Sequence, residues 1–348
     1  MSHRAVKLSI IVPCYKVERY LPRCLGSLMG QTLEDIEVIC INDGSPDRCI
    51  DILREWRERY PTKLQIIEKP NEGVWRGRMD GIRAACGEYI GFLDSDDHAE
   101  PDFAERLYAA AKEADADVAV CGFSRIDLDT GRVLSRELCD PREPFRIADD
   151  PGRVLELNGA PWNKVFRAPA LKRMHDLAST PPVLDDLLFH QLAYLEMDGP
   201  VVFVPASLVN YMVREGSIIT SVTDAQVEGV FRSFVETRGL YEATGASFAR
   251  MQALDAVAFV HIGISLNHRL SCADCDLDEA VRRSKRFLDE HFPLWRHSPY
   301  ICGRYARLHG AAYRRTLICS RMMRLGLMPQ FLTAYRIITA AARFDIKW

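Results

Sequence analysis

The stretch Tyr89-Ile-Gly-Phe-Leu-Asp-Ser-Asp-Asp97 decides the fold of this chain. Residues 89–93 form a short run of aromatic, β-branched and aliphatic side chains with a glycine, which is typical of a buried strand. Asp94, Asp96 and Asp97 follow where the strand ends, and open α/β sheets bind ligands at the carboxyl ends of parallel strands. Three neighbouring carboxylates repel one another unless a cation joins them. Mg²⁺ would satisfy this condition, because it prefers one or two carboxylates together with substrate phosphates.

A simpler interpretation of the same acids is a polar loop between a strand and a helix. Asp97 or Asp102 would then cap the helix that begins near Pro101, since aspartate is a preferred N-cap residue. Position in a sheet does not establish a function. Both interpretations stay open at this point.

Similar apolar runs recur along the first 125 residues. Runs at 8–12, 36–41, 64–68 and 118–123 predict further strands, and apolar residues with helical spacing lie in the gaps. Repeated strand–helix–strand units predict an α/β fold with a mainly parallel sheet and helices on both faces.

The remainder of the chain follows a different pattern. The polar, proline-containing segment 127–150 predicts an excursion over the sheet or a β-hairpin. Asp185 and Asp186 open a helical pattern, and a strand-like run follows at 201–204. From residue 225 onward the pattern is helical almost throughout, which predicts a mostly helical C-terminal extension.

Composition narrows the class of protein. With 48% hydrophobic and 27% charged residues, the chain resembles an ordinary globular protein, and a net charge of -3 gives no reason to expect a nucleic-acid partner. The 11 cysteines are scattered, several of them in apolar runs, which favours a reduced compartment. Cys272 and Cys275 form a CxxC pair that no second pair completes into a zinc site. Neither a P-loop nor a G-x-G-x-x-G occurs, which argues against an NTPase or a dinucleotide oxidoreductase.

Location is predicted from the apolar segments. Pro13 interrupts the first apolar run, so we expect no signal peptide. No run approaches the roughly 18 apolar residues of a transmembrane helix. The sequence therefore predicts a cytoplasmic protein, peripheral at most on the inner face of the cell membrane.

Polar residues also follow the first two strands. Pro13-Cys14-Tyr15 ends the first, and Asn42-Asp43-Gly44-Ser45 ends the second. A tyrosine and an aspartate at neighbouring strand tips could stack on a nucleobase and accept its N–H. The alternative is a pair of turn-rich loops, since Asp-Gly-Ser is common in turns. Arg78, after the third strand, could approach phosphate or base, or be an exposed helix arginine.

These segments occur in one order: Ser9-Ile-Ile-Val-Pro-Cys-Tyr15, Asn42-Asp-Gly-Ser-Pro-Asp47, Asn71-x-Gly73 with Arg78, and Phe92-Leu-Asp-Ser-Asp-Asp97. The ordered set resembles the nucleotide-sugar-binding half of family 2 inverting glycosyltransferases, which have the GT-A fold, of the bacterial surface-polysaccharide type. The resemblance is strong over the first 125 residues. It continues more weakly through Asn163-Lys-Val-Phe-Arg167, Leu184-Asp-Asp-Leu187 and Tyr211-x-x-Arg-x-x-Ser217.

The resemblance implies a domain division. A GT-A domain would span residues 1–222, with a nucleotide-sugar-binding half at 1–125 and an acceptor and catalytic half at 126–222. Residues 223–348 would form the helical C-terminal region.

The resemblance also implies roles for individual residues. Tyr15 and Asp43 would hold the base, and Asp94 would lie near the ribose. Asp96, together with Asp94, would coordinate Mg²⁺ or Mn²⁺ on the diphosphate. The complete set of implied nucleotide-sugar contacts is Pro13, Tyr15, Asp43, Ser45, Arg78, Asp94, Ser95, Arg214 and Ser217.

Catalysis and acceptor binding fall on the second half of the domain. Asp186 would be the general base, although Asp185 stands where the family frequently has Glu, so the choice between the two stays open. Asn42 and Met79 also depart from the family, where Asp and Asn are frequent, which leaves the choice of nucleotide contacts open. Trp162 and Lys164 would contact the acceptor.

Each of these roles has a structural alternative. Asp185 and Asp186 could cap a helix, Arg214 could form a surface salt bridge rather than clamp a diphosphate, and Trp162 could simply pack. In favour of catalysis, inverting transfer needs a carboxylate to take the acceptor's proton and a metal to neutralise the leaving phosphates. The dipole at a helix start keeps an aspartate ionised and so competent as a base.

The sequence therefore predicts an inverting glycosyltransferase that uses a nucleotide-diphospho-sugar, with UDP the favoured nucleotide, and a saccharide or lipid-linked acceptor. One alternative is a catalytically silent sugar-nucleotide-binding or assembly subunit. A sugar nucleotidyltransferase is another, but it needs a glycine-rich loop after the first strand.

The C-terminal region adds a further open question. From Arg296 to the end there are ten Arg or Lys residues and one acid, Asp345. Arg314, Arg321 and Arg324 fall near one helical face, with Ile318, Met322 and Leu325 elsewhere, so the segment could lie on an anionic bilayer. A solvated helical tail or a dimer surface is the alternative.

Overall fold

The computed structural model describes residues 5–214, 223–272 and 275–342, with side chains through residue 338. These residues fall into two compact units. The first comprises described residues within Met1–Asp149, Gly159–Thr180 and Asp185–Glu215. The second comprises those within Asp150–Asn158, Pro181–Leu184 and Gly216–Trp348.

The first unit is built on a ten-stranded sheet. Its strands are β1 (Leu8–Cys14), β2 (Ile36–Asp43), β3 (Leu64–Lys69), β4 (Tyr89–Phe92), β5 (His98–Ala99), β6 (Val118–Asp127), β7 (Val133–Glu137), β8 (Phe145–Arg146), β9 (Lys164–Arg167) and β10 (Pro200–Val213). Its helices are α1 (Leu21–Met29), α2 (Cys49–Arg59), α3 (Val74–Ala84), α4 (Phe103–Glu113), α5 (Ala168–Leu171) and α6 (Asp185–Leu195).

The strand order is β3-β2-β1-β4-β9-β6-β10-β5, with β7 beside β6 and β8 beside β10. Four neighbouring strands, β3, β2, β1 and β4, run parallel to one another, and β6 runs parallel to β10. Strand β9 runs antiparallel to both of its neighbours, and the segment between β6 and β9 adds β7 and β8 to the sheet. The predicted α/β architecture is confirmed, and β9 makes the sheet mixed in its second half.

The alternation of side chains along the central strands explains why helices cover both faces. Ile10 and Val12 of β1 share a buried cluster with residues of α1, α2 and α4. Ile11, between them, faces α3, where a Cβ at Gly81 would lie 2.5 Å from the Ile11 side chain. Only glycine permits this close approach of helix to strand. The two faces fix the register of the sheet, because a shift by one residue would exchange them.

Two connections bear on the alternative roles of the acids. Asp102 is the N-cap residue of α4, but its side chain makes no capping hydrogen bond. Asp97 instead accepts a hydrogen bond from the backbone N–H of Met212 on β10, at 2.7 Å. Neither residue therefore serves as the side-chain cap that the simpler interpretation required.

The second unit is helical. It contains α7 (Asp224–Ala243), α8 (Phe248–Ala258), a π-helical segment (Phe259–Leu266), α9 (Asn267–Ser271), α10 (Leu277–His291), α11 (Gly303–His309), α12 (Ala311–Arg324) and α13 (Met328–Ala342). The predicted helical C-terminal region is confirmed. None of the helices in the described parts of the chain combines the length and hydropathy that crossing a membrane requires.

Aromatic stacking and one buried ion pair hold the helices of the second unit together. Phe231 stacks on Phe287 with ring centroids 4.0 Å apart, which joins α7 to α10. Asp255 on α8 is fully buried and forms an ion pair with Arg238 of α7 at 2.6 Å. Its carboxylate also accepts a hydrogen bond from the backbone N–H of Leu294 at 2.7 Å. A buried pair of this kind is costly to break, since the remaining charge would lose its partner.

Candidate functional site

The carboxyl ends of β1, β2 and β4 open into a cleft of about 520 Å³ in the first unit. The first turn of α6 forms another part of its wall. The residues that line it are Pro13, Cys14, Tyr15, Ile41, Asp43, Asn71, Gly73, Val74, Gly77, Arg78, Asp94, Ser95, Asp96, Asp185 and Asp186. Asp96 and Asp186, which are far apart in sequence, therefore lie in one cleft.

Asp43 lies at the end of β2 and holds the loop that precedes α3. Its two carboxylate oxygens accept the backbone N–H groups of Glu72 and Gly73, each at 2.9 Å. The close packing of the two loops requires glycine at position 44, where φ is 61° and a Cβ would lie 2.7 Å from the backbone nitrogen of Asn71. An ionised carboxylate has about four lone-pair sites, so Asp43 keeps acceptor capacity for a ligand.

Tyr15 follows β1 and is 43% exposed at the edge of the cleft. The next residue, Lys16, has a backbone φ of 56°, which is unusual for a residue other than glycine. Its backbone N–H donates to the Ser45 hydroxyl at 2.8 Å, and that hydroxyl donates to Asp47 at 2.6 Å. Ser45 thus fixes the turn that presents the Tyr15 ring.

Arg78 of α3 is the central cation of the cleft, with only 4% of its side chain exposed. Its Nη1 lies 3.0 Å from an Asp185 oxygen and 2.5 Å from an Asp186 oxygen, and its Nη2 lies 3.8 Å from an Asp94 oxygen. One guanidinium therefore faces carboxylates from the loop after β4 and from α6. This arrangement excludes the alternative of an exposed helix arginine.

The acids around Arg78 differ from ordinary surface carboxyls. Burial in the cleft raises the pKa of Asp186 to about 7, with Asp185 and Asp94 adding repulsion and Arg78 opposing the rise. Burial likewise raises the pKa of Asp94 to about 6, against the attraction of Arg78. Burial thus outweighs the helix dipole that the sequence analysis expected to keep Asp186 fully ionised, and its pKa lies close to the value at which a carboxylate works best as a general base near neutral pH.

Asp96 pairs with a different cation. Its carboxylate forms an ion pair with Arg214, the residue that follows β10. The Arg214 guanidinium also lies over the ring of Tyr20, 4.9 Å from the ring centroid. Ser217, which the resemblance groups with Arg214, lies outside the described residues.

Two further residues of the Asp-Ser-Asp-Asp sequence are buried. Ser95 lines the cleft and is 5% exposed. Asp97 is 1% exposed, and burial, followed by repulsion from Asp94 and Asp96, raises its pKa well above the usual value. Its role is to join the β4 loop to β10, through its bond to Met212.

Trp162 and Lys164, the predicted acceptor contacts, are both buried. Trp162 packs edge-on against Phe123, with centroids 4.7 Å apart, and stacks on Tyr211 at 5.4 Å. Lys164 donates to the carbonyl of Ala160 at 2.7 Å and to the Asn163 side chain at 2.9 Å. Trp162 therefore packs among aromatic side chains, as the alternative interpretation expected. The acceptor role of both residues stays a prediction.

Sequence reasoning missed two residues of the site. Tyr20 supports Arg214, as described above, and its position just before α1 gives no signal of this contact. His190 lies one turn after Asp186 on α6, with its Nδ1 2.6 Å from the Asp186 carbonyl oxygen. The spacing of four residues on a predicted helix could have indicated that contact.

Comparison with known proteins agrees with the fold and the motifs. Residues 9–174 match the family described as "Glycosyl transferase family 2". EpsH of Bacillus subtilis (strain 168) is 35% identical over 165 residues, which cover 46% of this chain and 46% of EpsH. A poly(ribitol-phosphate) beta-glucosyltransferase of Bacillus spizizenii is 32% identical over 195 residues, covering 55% of this chain and 30% of that protein. The chain thus spans less than half the length of these curated relatives.

A solved structure extends the likeness to the whole fold. The crystal structure of S. aureus TarS 1–349 in complex with UDP-GlcNAc has a TM-score of 0.70 at 20% identity, covering 92% of each chain. The fold is therefore the GT-A fold that the resemblance implied. Residues 9–174 therefore match glycosyltransferase family 2, in agreement with the resemblance that the sequence motifs carry.

Proposed function

We propose that this chain is an inverting glycosyltransferase that moves a sugar from a UDP-sugar to a hydroxyl of a saccharide or lipid-linked acceptor, in the synthesis of a cell-surface polysaccharide. One observation carries the proposal: Asp94 and Asp96 share a single cleft with Asp186 and Arg78. The names of the relatives support the substrate class, since one is a poly(ribitol-phosphate) beta-glucosyltransferase and TarS was crystallised with UDP-GlcNAc.

The donor's base would lie between Tyr15 and Asp43. The exposed ring of Tyr15 offers a face on which a uracil can stack. Asp43 is held by two backbone N–H groups, so its carboxylate is oriented before the donor arrives. A rigid acceptor of this kind lowers the ordering cost of binding.

The donor set of the cleft suits Mg²⁺ or Mn²⁺. No cluster of three or more His, Cys, Asp or Glu side chains that could hold a metal alone occurs within the described residues. Two carboxylates, Asp94 and Asp96, together with diphosphate oxygens are the combination that Mg²⁺ prefers. When bound, such an ion would neutralise charge on the leaving diphosphate. The carboxylate of Asp96 already forms an ion pair with Arg214, so this position in the cleft attracts positive charge.

Asp186 would take the proton of the acceptor hydroxyl as that oxygen attacks the anomeric carbon and the nucleoside diphosphate leaves. A pKa of about 7 makes its carboxylate a stronger base than an ordinary aspartate while leaving much of it ionised at neutral pH. Arg78 contacts both Asp185 and Asp186, so it fixes their orientation in the cleft. Asp185 would support this arrangement rather than replace it.

We place the reaction in the cytoplasm. The 11 cysteines, all within the described residues, form no disulfide, although several of them are buried in the sheet unit. This state agrees with a reducing compartment.

The direct test is a panel of UDP-sugars incubated with the protein and Mn²⁺, with release of UDP as the readout. We expect one donor to be hydrolysed or transferred, and Asp186→Asn to lose about 10²- to 10⁴-fold of the rate. Asp102→Asn is the matched control, because Asp102 is 43% exposed and lies outside the cleft. UDP binding without turnover of any donor would favour a silent binding subunit instead.

A further inference from the structure

Helix α12 of the second unit has two chemically different faces. Its inner face is buried and consists of Tyr313, Thr316, Cys319, Ser320 and Met323. This packing fixes the rotation of the helix about its own axis. The outward face is therefore presented in a defined orientation.

The outward face carries four residues, Arg314, Ile318, Arg321 and Leu325, which we call the basic–apolar stripe. Their spacings of four, three and four residues place them within an arc of about 60° on a helix. Ile318 is 45% exposed and Leu325, just after the helix, is 68% exposed. The stripe thus alternates cation and aliphatic side chain along one line.

This arrangement differs from the sequence-based expectation, which placed Arg324 on the basic face and Ile318 and Leu325 elsewhere. Arg324 instead donates to the carbonyl of Arg296 and lies over the ring of Trp295. The expectation was wrong for Ile318 and Leu325 because their helical spacing places them in line with Arg314, and for Arg324 because its contacts with Arg296 and Trp295 cannot be read from the sequence.

The sequence around the stripe is strongly basic. Residues 296–338 contain eight arginines and no aspartate or glutamate. Helix α10 shows the contrast, since its Arg282, Arg283 and Lys285 all pair with acids. Arg314 and Arg321 form no ion pair with any residue in the described ranges.

We infer that the basic–apolar stripe docks this protein on the surface of an anionic lipid bilayer. A helix in this position sinks its aliphatic side chains to the boundary between headgroups and acyl chains, while arginines contact anionic headgroups. The stripe spans only about 16 Å, from Arg314 to Leu325. Across the width of one helix, about 10 Å, a strip of that length covers only about 160 Å², whereas a stable protein interface needs about 800 Å² on each partner. The inference rests on α12 and not on the proposed transfer reaction.

The test is co-sedimentation of the full chain with vesicles of equal parts phosphatidylglycerol and phosphatidylcholine, compared with pure phosphatidylcholine. We expect binding to the anionic vesicles alone, weakened by high salt because exposed charges are screened. Arg314→Gln with Arg321→Gln should lower the partition constant by about 30-fold, from two arginines at the membrane surface. Ile318→Asn with Leu325→Asn should weaken binding by removing the apolar contact.

The matched control changes an exposed arginine and an exposed aliphatic residue on another helix of the same unit, as Arg232→Gln with Val235→Asn on α7. We expect this variant to bind like the wild type. Thermal melting and UDP calorimetry on each variant separate a folding defect or a lost donor site from lost docking. Absence of binding by the wild type, or equal binding by the stripe variants, would overturn the inference. Self-association that depends on the stripe would also overturn it, in favour of a dimer surface.

Discussion

Replacement of Arg78 by glutamine should destabilise the first unit, and the loss should grow as the pH rises. Arg78 is the attractive partner that limits the pKa rise of both Asp94 and Asp186. Without it, both folded-state pKa values move further above those of the unfolded chain. The folded state then holds protons that the unfolded state has released, so the stability of the variant falls as the pH rises above about 4.

The size of this effect follows from the two carboxyls. If the pKa of each rises by about one unit, the variant loses about 1.4 kcal/mol per group, or about 3 kcal/mol in all. Asp186 is 37% exposed and Asp94 31%, so solvent screening reduces this to about 2 kcal/mol. The loss should be present at pH 8, where both groups are ionised in the wild type, and nearly absent at pH 5.

The assay is thermal melting of wild type and Arg78→Gln at pH 5 and pH 8, with a chelator present so that no divalent cation binds the acids. For a unit of this size, about 2 kcal/mol corresponds to a Tm difference of about 4–8 °C. Arg83→Gln is the control, since Arg83 lies on the same helix but is 60% exposed. An equal Tm decrease at both pH values would refute the electrostatic reasoning and leave only lost packing.

Three further predictions concern other residues of the first unit. Burial lowers the pKa of Lys164 to about 7 in the folded protein. Between about pH 7 and 10 the unfolded state therefore binds more protons at this lysine than the folded state does, so a rise in pH stabilises the fold. The Tm of the wild type, measured relative to that of Lys164→Met, should rise between about pH 7 and 9. Gly44→Ala should cost about 1–3 kcal/mol by chemical denaturation, more than Gly131→Ala, because both have positive φ but a Cβ at Gly131 meets nothing within 4 Å. Tyr15→Ala should weaken UDP binding by about 1–3 kcal/mol in calorimetry, whereas Tyr15→Phe keeps the stacking face and should bind normally.

Much of the fold could be predicted from local patterns. The apolar runs that define β1 to β4 are long enough to be buried strands, and Asp185 does begin a helix as predicted. The structure of segment 248–266 was harder to predict, because its sequence has a helical pattern throughout, yet the chain changes to a π-helix at Phe259. There the side chain of Asn267 donates to the carbonyls of Ile262 and Gly263, a contact that period alone does not reveal.

The candidate site could be predicted as a set of residues but not as an arrangement. The ordered motifs of the resemblance, rather than position alone, single out Asp94 and Asp96 after β4 and Asp186 in the first turn of α6 as candidates. That one arginine faces Asp94, Asp185 and Asp186 depends on where α3 and α6 meet in space. Likewise, Lys164 is an acceptor candidate in sequence, whereas in the structure its amine is bound to Ala160 and Asn163.

The most direct test of the proposed division of labour compares Asp96→Asn with Asp186→Asn in two assays, calorimetry with UDP and Mn²⁺ and transfer from the donor identified in the panel. We predict that Asp186→Asn keeps its UDP affinity and loses about 10²- to 10⁴-fold of the transfer rate. Asp96→Asn should lose the part of UDP affinity that depends on Mn²⁺. An equal loss of UDP affinity in both variants, or normal transfer by Asp186→Asn, would contradict the account.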